Sequence, residues 1–368
     1  LSDVALVSKE GVLIKAGELI VARDEAARAV AIRLSPEMTV TVPVGQMARE
    51  QNPILPERVE IPITSEDALL RVGQSDTGAA IVLLTAASLR AAVDQDDFPV
   101  KLAVDAGELT FESDPAQPGR RFRLISKTFG IDLRDTSGPG PSVLDSRYTD
   151  LSIGATLRAE GLDGFLAGLE AMSEKLMDGA FQSASQAITL SAVQSGGAPG
   201  RPSTLTWKSG PQTGIFQIDK GTLGYSAEDR DIRATLDLAT AQGSMTFDAT
   251  ALFYQRQFEF PIVSTGQPRA GSLRIAVEDF LPDAATWKAL DPTGVLTRDP
   301  ADLLFDADAT LRRGGTTAGL PVEFSNVSLS ALSLSALGAE VAAKGDVEIL
   351  QPINLPLGQI DVVLSGAG

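Results

Sequence analysis

The stretch Ala339-Glu-Val-Ala-Ala-Lys-Gly-Asp-Val-Glu-Ile349 decides the fold class of this chain. Its odd positions hold small or apolar side chains, and its even positions hold mostly charged ones. Because successive side chains of a β-strand lie on opposite faces, this stretch predicts a strand with one dry face and one wet face. The same alternation recurs in Phe305-Asp-Ala-Asp-Ala-Thr-Leu311, Leu273/Ile275/Val277, Met245/Phe247/Ala249/Ala251, Ile232/Ala234/Leu236/Leu238, Leu151/Ile153/Ala155/Leu157, Val30/Ile32/Leu34 and Met38/Val40/Val42.

Alternation of this kind is typical of antiparallel sheets, because strands that are buried on both faces have continuous apolar runs instead. Roughly twenty strands can be counted in the sequence, and their boundaries are uncertain by about 2–4 residues. A flat ladder of twenty strands would be about 95 Å wide, and open sheets that large curl or split. The sequence therefore predicts a mainly β fold with an elongated, curled antiparallel sheet, either a trough or barrel-like.

The sequence predicts only a few helices. The spacing of apolar residues predicts an amphipathic helix at Asp163–Asp178, with Gly179 as its C-cap. Thr85–Val93 is a shorter helical candidate, and Ala284–Leu290 reads as a helical turn. These elements divide the chain into an N-terminal β region (1–160), the helix (161–182) and a C-terminal β region (183–368), unless the two β regions form one continuous domain.

The composition excludes several classes of function. The chain of 368 residues contains no His and no Cys. A Ser-His-Asp triad, a Cys nucleophile, a His/Cys zinc site and a disulfide are therefore impossible. The net charge of −17 argues against a nucleic-acid partner, since phosphate backbones require a basic surface. No apolar window reaches the roughly 18–20 residues of a membrane span, so none is predicted.

Two acidic motifs are candidates for a metal site or for catalytic carboxylates. Asp94, Asp96 and Asp97 have the alternate spacing of a calcium loop, but the Gly and Glu that an EF-hand needs are absent. Asp306 and Asp308 are expected to share the wet face of a strand, where both would remain ordinary ionised carboxylates. The sequence therefore predicts no catalytic residue, no metal ligand and no cofactor. The rival interpretation is a hydrolase with two acids facing each other across a cleft.

The segment from Asp291 to Pro300 (Asp-Pro-Thr-Gly-Val-Leu-Thr-Arg-Asp-Pro) predicts a structured loop. Its candidate residues are Asp291, Gly294, Arg298 and Asp299. In the functional interpretation the loop packs over an opening and Arg298 meets an anion. In the structural interpretation, which we prefer, Pro and Gly shape a tight connection and Arg298 satisfies backbone carbonyls or Asp299.

Several apolar residues fall on strand faces in the C-terminal half and could line a ligand site. Either they pack into a core, or they line a trough for a long apolar ligand. These candidate lining residues are Phe216, Ile218, Leu236, Phe247, Phe258 and Phe260.

Two stretches resemble a bacterial family that is catalogued as domain of unknown function 2125. They are Leu34-Ser-Pro-Glu-Met38 and the segment from Trp287 through the Asp291–Pro300 loop, and the helix at Gly161–Gly179 between β segments is similar too. The resemblance implies an exported periplasmic protein whose signal peptide is removed. Because the sequence begins at Leu1, we expect that signal to lie outside it. The resemblance implies no site residues.

A more general likeness connects the chain with the AsmA-like β-groove proteins of the bacterial envelope. It is carried by strand–turn–strand stretches such as Leu332-Ser-Leu-Ser-Ala-Leu-Gly338 followed by Ala339–Gly345. The likeness implies a trough that shields lipid tails. The expected function is therefore that of a non-enzymatic periplasmic envelope protein that binds or carries lipid. The alternative is a structural or protein-interaction module with a fully packed core and an envelope protein as its partner.

Overall fold

The computed structural model describes residues 1–7, 11–25, 28–43, 57–75, 78–93, 99–113, 120–135, 142–158, 178–198, 201–219, 221–240, 243–261, 267–317, 320–350 and 355–366. These residues form one antiparallel sheet of 22 strands and one short helix, so the predicted mainly β, curled-sheet fold is confirmed. Most of the predicted helix at Asp163–Asp178 lies outside the described residues, and Asp178 itself begins a strand.

In chain order the strands are β1 (Ser2–Val7), β2 (Leu13–Glu18), β3 (Ile20–Asp24), β4 (Ala29–Arg33), β5 (Glu37–Pro43), β6 (Arg58–Glu66), β7 (Leu69–Gln74), β8 (Ala80–Val93), β9 (Val100–Ser113), β10 (Arg120–Asp135), β11 (Ser142–Arg158), β12 (Asp178–Ser185), β13 (Ala187–Ala198), β14 (Arg201–Ser209), β15 (Gln212–Asp219), β16 (Thr222–Thr240), β17 (Gly243–Pro261), β18 (Arg269–Pro282), β19 (Ala301–Thr317), β20 (Leu320–Ala336), β21 (Ala339–Leu350) and β22 (Leu355–Ser365). The helix α1 (Ala284–Leu290) lies between β18 and β19.

The strands follow one another as a meander. Five pairs of strands (β2–β3, β4–β5, β6–β7, β12–β13 and β14–β15) lie end to end and pair as single long strands. Each long strand is antiparallel to the one before it and the one after it. Within the described residues β1 pairs only with β2 and β22 only with β21, so the ladder has two ends. Strands from the regions before residue 160 and after residue 183 belong to this one sheet.

Side-chain alternation changes phase midway along the strands between β6 and β18. In β16 the side chains of Asp229 and Ile232 are both buried, whereas Arg230 and Asp231 between them are exposed. The same spacing of three recurs at Ser65/Ala68, Ser185/Ile188 and Ser209/Gln212. We call the line of residue pairs at which the alternation changes phase the crease. It runs through 66–67, 87–88, 105–106, 127–128, 149–150, 186–187, 210–211, 230–231, 252–253 and 278–279.

The crease divides the sheet into two sides that fold toward each other over one face. We call this the apolar face; in β16 it carries residues 223, 225, 227 and 229 on one side and 232, 234, 236 and 238 on the other. Small buried side chains such as Ala68, Ala86, Ser126, Ser185 and Ser209 lie along the crease. Their size lets the two sides approach closely, because buried atoms pack near crystal density. A small core of Ala16, Leu19 and Met38 forms at the N-terminal end.

Aspartates supply the backbone turn at several crossings of the crease. Asp67, Asp150, Asp231 and Asp279 all have φ near +50°, in the left-handed region. Residues with side chains seldom adopt this conformation, and Asp is among those that tolerate it best. Aspartates at these positions therefore mark the crease in the sequence.

Replacing Asp231 with valine is expected to lower the free energy of unfolding by about 1–2 kcal/mol, because a β-branched residue fits the left-handed region poorly. Replacing it with glycine removes the same carboxylate without that strain and should change stability by less than about 0.5 kcal/mol. Urea unfolding of the two variants and the parent checks this. Equal losses in D231V and D231G would contradict a conformational role for this position.

The short helix confirms one of the sequence predictions. Asp283 caps α1 by accepting a hydrogen bond from Thr286 N at 2.6 Å. The helix is tied to β17 through Asp248, whose N–H donates to Thr286 Oγ1 at 2.9 Å. The predicted helix at Thr85–Val93 is wrong, because this stretch is the second half of β8 and pairs with strands on both sides. No helix within the described ranges is long and apolar enough to cross a membrane.

Candidate functional site

The six candidate lining residues all lie on the apolar face. Phe216 is opposite Tyr225, which is opposite Phe258; Ile218 is opposite Leu223, which is opposite Phe260. Leu236 and Phe247 oppose each other on the other side of the crease. The residues thus share a face but form two groups, one on each side of the crease.

The apolar face is only partly covered within the described part of the chain. Ile218 is only 5% exposed, and the other five candidate residues are half-buried. The described residues supply one sheet and the short α1, which contacts β17 near one end of the strands. Ala227, Asp229 and Ile232, which flank the crease, are buried, whereas most of the large apolar side chains farther along the strands are half-buried. Large apolar side chains therefore remain partly accessible to a ligand.

One part of the apolar face forms an open groove of about 590 Å³. Consecutive ladders place Leu133, Leu144, Ala192, Leu205 and Leu236 in one row across β10, β11, β13, β14 and β16. Leu238 extends the lining toward the end of β16. The volume lies within the roughly 300–1,000 Å³ typical of small-molecule sites. This groove and the crease are separated by one pair of apolar-face residues along each strand.

A polar cluster interrupts the apolar face at the crease. The carboxylate of Asp229, 2% exposed, accepts a hydrogen bond from Arg256 Nη1 at 2.8 Å and one from Ser209 Oγ at 3.3 Å. Arg256 also donates from Nε to the Tyr225 hydroxyl at 3.2 Å. Its side chain is 33% exposed. In this ion pair the carboxylate of Asp229 is therefore buried, whereas the guanidinium of Arg256 reaches solvent.

All three tyrosines of the chain and one of its two tryptophans gather at this cluster. The guanidinium of Arg256 lies 5.2 Å from the ring centroid of Tyr254 and 5.8 Å from that of Tyr225. Tyr254 meets Trp207 edge-on at 5.9 Å, and Tyr225 packs against Phe258 at 5.2 Å. We call Tyr148, Trp207, Tyr225, Asp229, Tyr254 and Arg256 the crease cluster.

The environment fixes the charge states of the crease cluster. Burial raises the pKa of Tyr148, and the neighbouring Tyr225 and Asp229 raise it further, so this phenol keeps its proton at neutral pH. Burial disfavours the charged form of Arg256, but Tyr225 and Asp229 outweigh burial and raise the pKa of its guanidinium. The cluster therefore presents the cation of Arg256 together with the protonated phenol of Tyr148.

The crease cluster was not predicted from the sequence, although one signal for it was present. Arg256 has the same strand parity as Tyr254, Phe258 and Phe260, so it is a charged residue at a position that alternation assigns to the apolar face. Asp229 likewise has the same strand parity as Tyr225 and Ala227, so it too is a charged residue in an apolar row. A charge in an apolar row indicates a buried partner or a ligand.

The structured loop at Asp291–Pro300 is organised by its first residue. The Asp291 carboxylate is buried and accepts hydrogen bonds from Thr293 Oγ1, Gly294 N and Leu296 N at 2.7–3.0 Å. Gly294 has a φ of 68°, which suits glycine. Arg298 donates to the backbone carbonyl of Pro282 at 2.7 Å, and Asp299 accepts from Thr297 Oγ1. These contacts hold the backbone of the loop itself.

Hydrogen bonds, first that from Leu296 N–H, lower the pKa of Asp291 below its ordinary value. The charged form therefore stabilises the fold above pH of about 4, and this contribution is lost as the pH falls through the lowered pKa. We expect D291N to melt at a lower temperature than the parent at neutral pH, with a gap that narrows in acid. D299N is the control, since its exposed carboxylate accepts from Thr297 Oγ1 alone among the residues that the structure describes. A gap that is independent of pH would contradict this.

Asp306 and Asp308 do not form a second site. Asp306 pairs with Arg274 at 2.6 Å, and Asp308 accepts from Ser330 at 3.2 Å, both on the polar face. Asp94, Asp96 and Asp97 lie outside the described residues. Among the residues that the structure describes, no group of three acidic side chains could hold a metal ion.

The crease cluster and the groove beside it are thus the strongest candidate site in the described part of the chain. Comparison of the chain with protein-family models, with curated proteins and with solved structures found no match in any of the three searches.

Proposed function

We propose that this chain is a non-enzymatic protein that binds the acyl chain of a lipid along its apolar face. The observation that carries the proposal is the half-buried row of leucines in the open groove, which continues into Phe247. A linear hydrocarbon suits this surface, because the row runs across neighbouring strands as an elongated strip.

The hydrophobic effect is large enough for such binding. Burial of about 400 Å² of an acyl chain would supply roughly 10 kcal/mol at about 25 cal/mol per Å². Association itself costs several kcal/mol, and an exposed groove buries only part of the ligand. The net binding free energy that remains corresponds to a carrier that can release its lipid rather than to an irreversible complex.

The proposal places the protein in the periplasm of a Gram-negative bacterium, as the resemblance to domain of unknown function 2125 implies. The absence of Cys from the sequence is compatible with an oxidising compartment. The net charge of −17 disfavours direct docking on anionic membrane surfaces. Lipid would therefore be exchanged with protein partners or by transient contact.

A second candidate function is protein interaction through strand addition. The last strand, β22, is exposed along its length, and Val362, Val363 and Leu364 are each more than 60% exposed. Unprotected apolar edge strands are pairing sites for other chains. An envelope protein could extend the sheet at this edge without using the groove.

Native mass spectrometry of the protein, purified with its membrane extract in mild detergent, tests the lipid proposal. We expect adducts that dissociate at the masses of acyl lipids, and a delipidated sample that takes up a fluorescent long-chain fatty acid. Repeated absence of both adducts and uptake would contradict the proposal. Self-association or pull-down that is lost on removal of β22 would instead favour the second candidate.

A further inference from the structure

We infer that the crease cluster is the head-group site for the lipid in the groove, and that Arg256 recognises an oxyanion there, either a carboxylate or a phosphate. The inference rests on the proposed function, because it places the polar end of the same ligand. It assigns to the cluster a role that the surrounding apolar surface cannot perform.

The placement of the cluster argues against a purely structural role. A buried ion pair rarely stabilises a fold more than well-packed apolar residues would, because both ions lose their hydration. Asp229 and Arg256 nevertheless occupy apolar-face positions, between residues such as Ala227, Tyr254 and Phe258. A charge that is kept on this face at such a cost is accounted for if it meets the polar end of a ligand.

The guanidinium of Arg256 has more N–H donors than it uses within the described residues. Arginine carries five N–H donors in a planar fork, and Arg256 uses Nε for Tyr225 and one Nη1 hydrogen for Asp229. Within the described residues no other acceptor takes the remaining hydrogens. The rings of Tyr225 and Tyr254 fix the plane of the fork, and a third of the side chain is exposed. The free edge can therefore bind two oxygens of one carboxylate or phosphate.

A tyrosine completes the donor set. The Tyr225 hydroxyl accepts from Arg256 Nε at 3.2 Å, so its own O–H can donate to the same oxyanion. Asp229 contacts Arg256 from the buried side and leaves the solvent side of the guanidinium open. An oxyanion held by fixed donors in a partly desolvated site is bound more tightly than it would be by an exposed lysine.

The groove and the crease cluster are adjacent along β14. Leu205 lines the groove, Trp207 belongs to the cluster and Ser209 bonds to Asp229, all on the apolar face. Residues two apart in a strand are separated by roughly 7 Å. A single amphiphile can therefore place its head at Arg256 and its tail against Leu205 and Leu236.

The test compares three probes of equal chain length: a long-chain fatty acid, an alkyl phosphate and a fatty alcohol. Each displaces a fluorescent acyl probe from the delipidated full chain. We expect at least one anionic probe to bind about tenfold more tightly than the alcohol. Whether the acid or the phosphate is preferred identifies the head group.

R256Q removes the cation, and R256Q/D229N removes both charges so that no buried aspartate is left unpaired. In the double variant we expect the anion preference to disappear while the affinity for the alcohol stays within about twofold. R274Q is the matched control, because Arg274 pairs with Asp306 on the polar face, and it should keep the preference.

Each outcome has a distinct meaning. An anion preference that survives in the folded double variant, or that is absent from the parent although the alcohol binds, would overturn the inference and leave the lipid proposal standing. Failure of all three probes to bind the parent protein would overturn the proposed function and the head-group assignment with it.

Discussion

Replacing Phe247 with aspartate is expected to weaken fatty-acid binding at least tenfold while leaving the sheet folded. Phe247 is half-buried on the apolar face, opposite Leu236 of the groove. Loss of a phenyl contact with an acyl chain costs about 1.5–3 kcal/mol, and a charge at the site adds a desolvation cost. Water can reach the new carboxylate in the ligand-free protein because Phe247 is only half-buried.

The control is S244D, which introduces the same charge on the opposite face of β17 at an exposed position. It should bind the fluorescent fatty acid like the parent. Circular dichroism and gel filtration report the fold of both variants. If F247D unfolds while S244D does not, Phe247 belongs to an internal core and the packed-module alternative gains support.

Replacing Asp229 with alanine is expected to destabilise the protein by about 3 kcal/mol. Removal of one partner from a buried ion pair typically costs about 3–5 kcal/mol, and the partial exposure of Arg256 places this site at the lower end. Trp207 lies inside the cluster, so its fluorescence in a Trp287→Phe background reports the local transition in urea.

Two further variants serve as comparisons for the stability of D229A. D219A removes an exposed aspartate from the end of β15 and should change the urea midpoint little. D229N/R256Q should recover much of the loss, because neither charge is then left without its partner. A loss in D229A of less than about 0.5 kcal/mol, the range of ordinary surface changes, would show that the pair is not anchored as the structure indicates.

The strands were predictable because one face of the sheet avoids water. The Ala339–Ile349 alternation becomes β21, and the alternation of Ile232 through Leu238 becomes the second half of β16. The helix predicted at Thr85–Val93 failed for a reason that lies in the crease. At the crease the consecutive apolar-face residues Ala86 and Leu89 are three positions apart. This spacing resembles the helical period although it lies inside a strand.

The crease cluster was not predictable as a site, although its members could be read as strand residues. Tyr148, Trp207, Asp229 and Arg256 lie on four different strands, and only the register of the ladders brings them together. Single-sequence alternation assigns a face to each residue but not a neighbour. The groove shares this property, because its leucines come from β10, β11, β14 and β16.

The meander described above has a consequence for how the chain acquires its structure. Between the two ends of the ladder, every long strand pairs with the long strands that precede and follow it in the sequence, so the sheet is built from consecutive hairpin pairings. Such a chain is quasi-one-dimensional, like a solenoid, and its stability is a sum over neighbouring hairpins. Folding can start at any well-paired hairpin, for example β16–β17, and extend in both directions like a zipper. Hydrogen exchange should accordingly be fastest in β1 and β22 and slowest near the middle of the ladder.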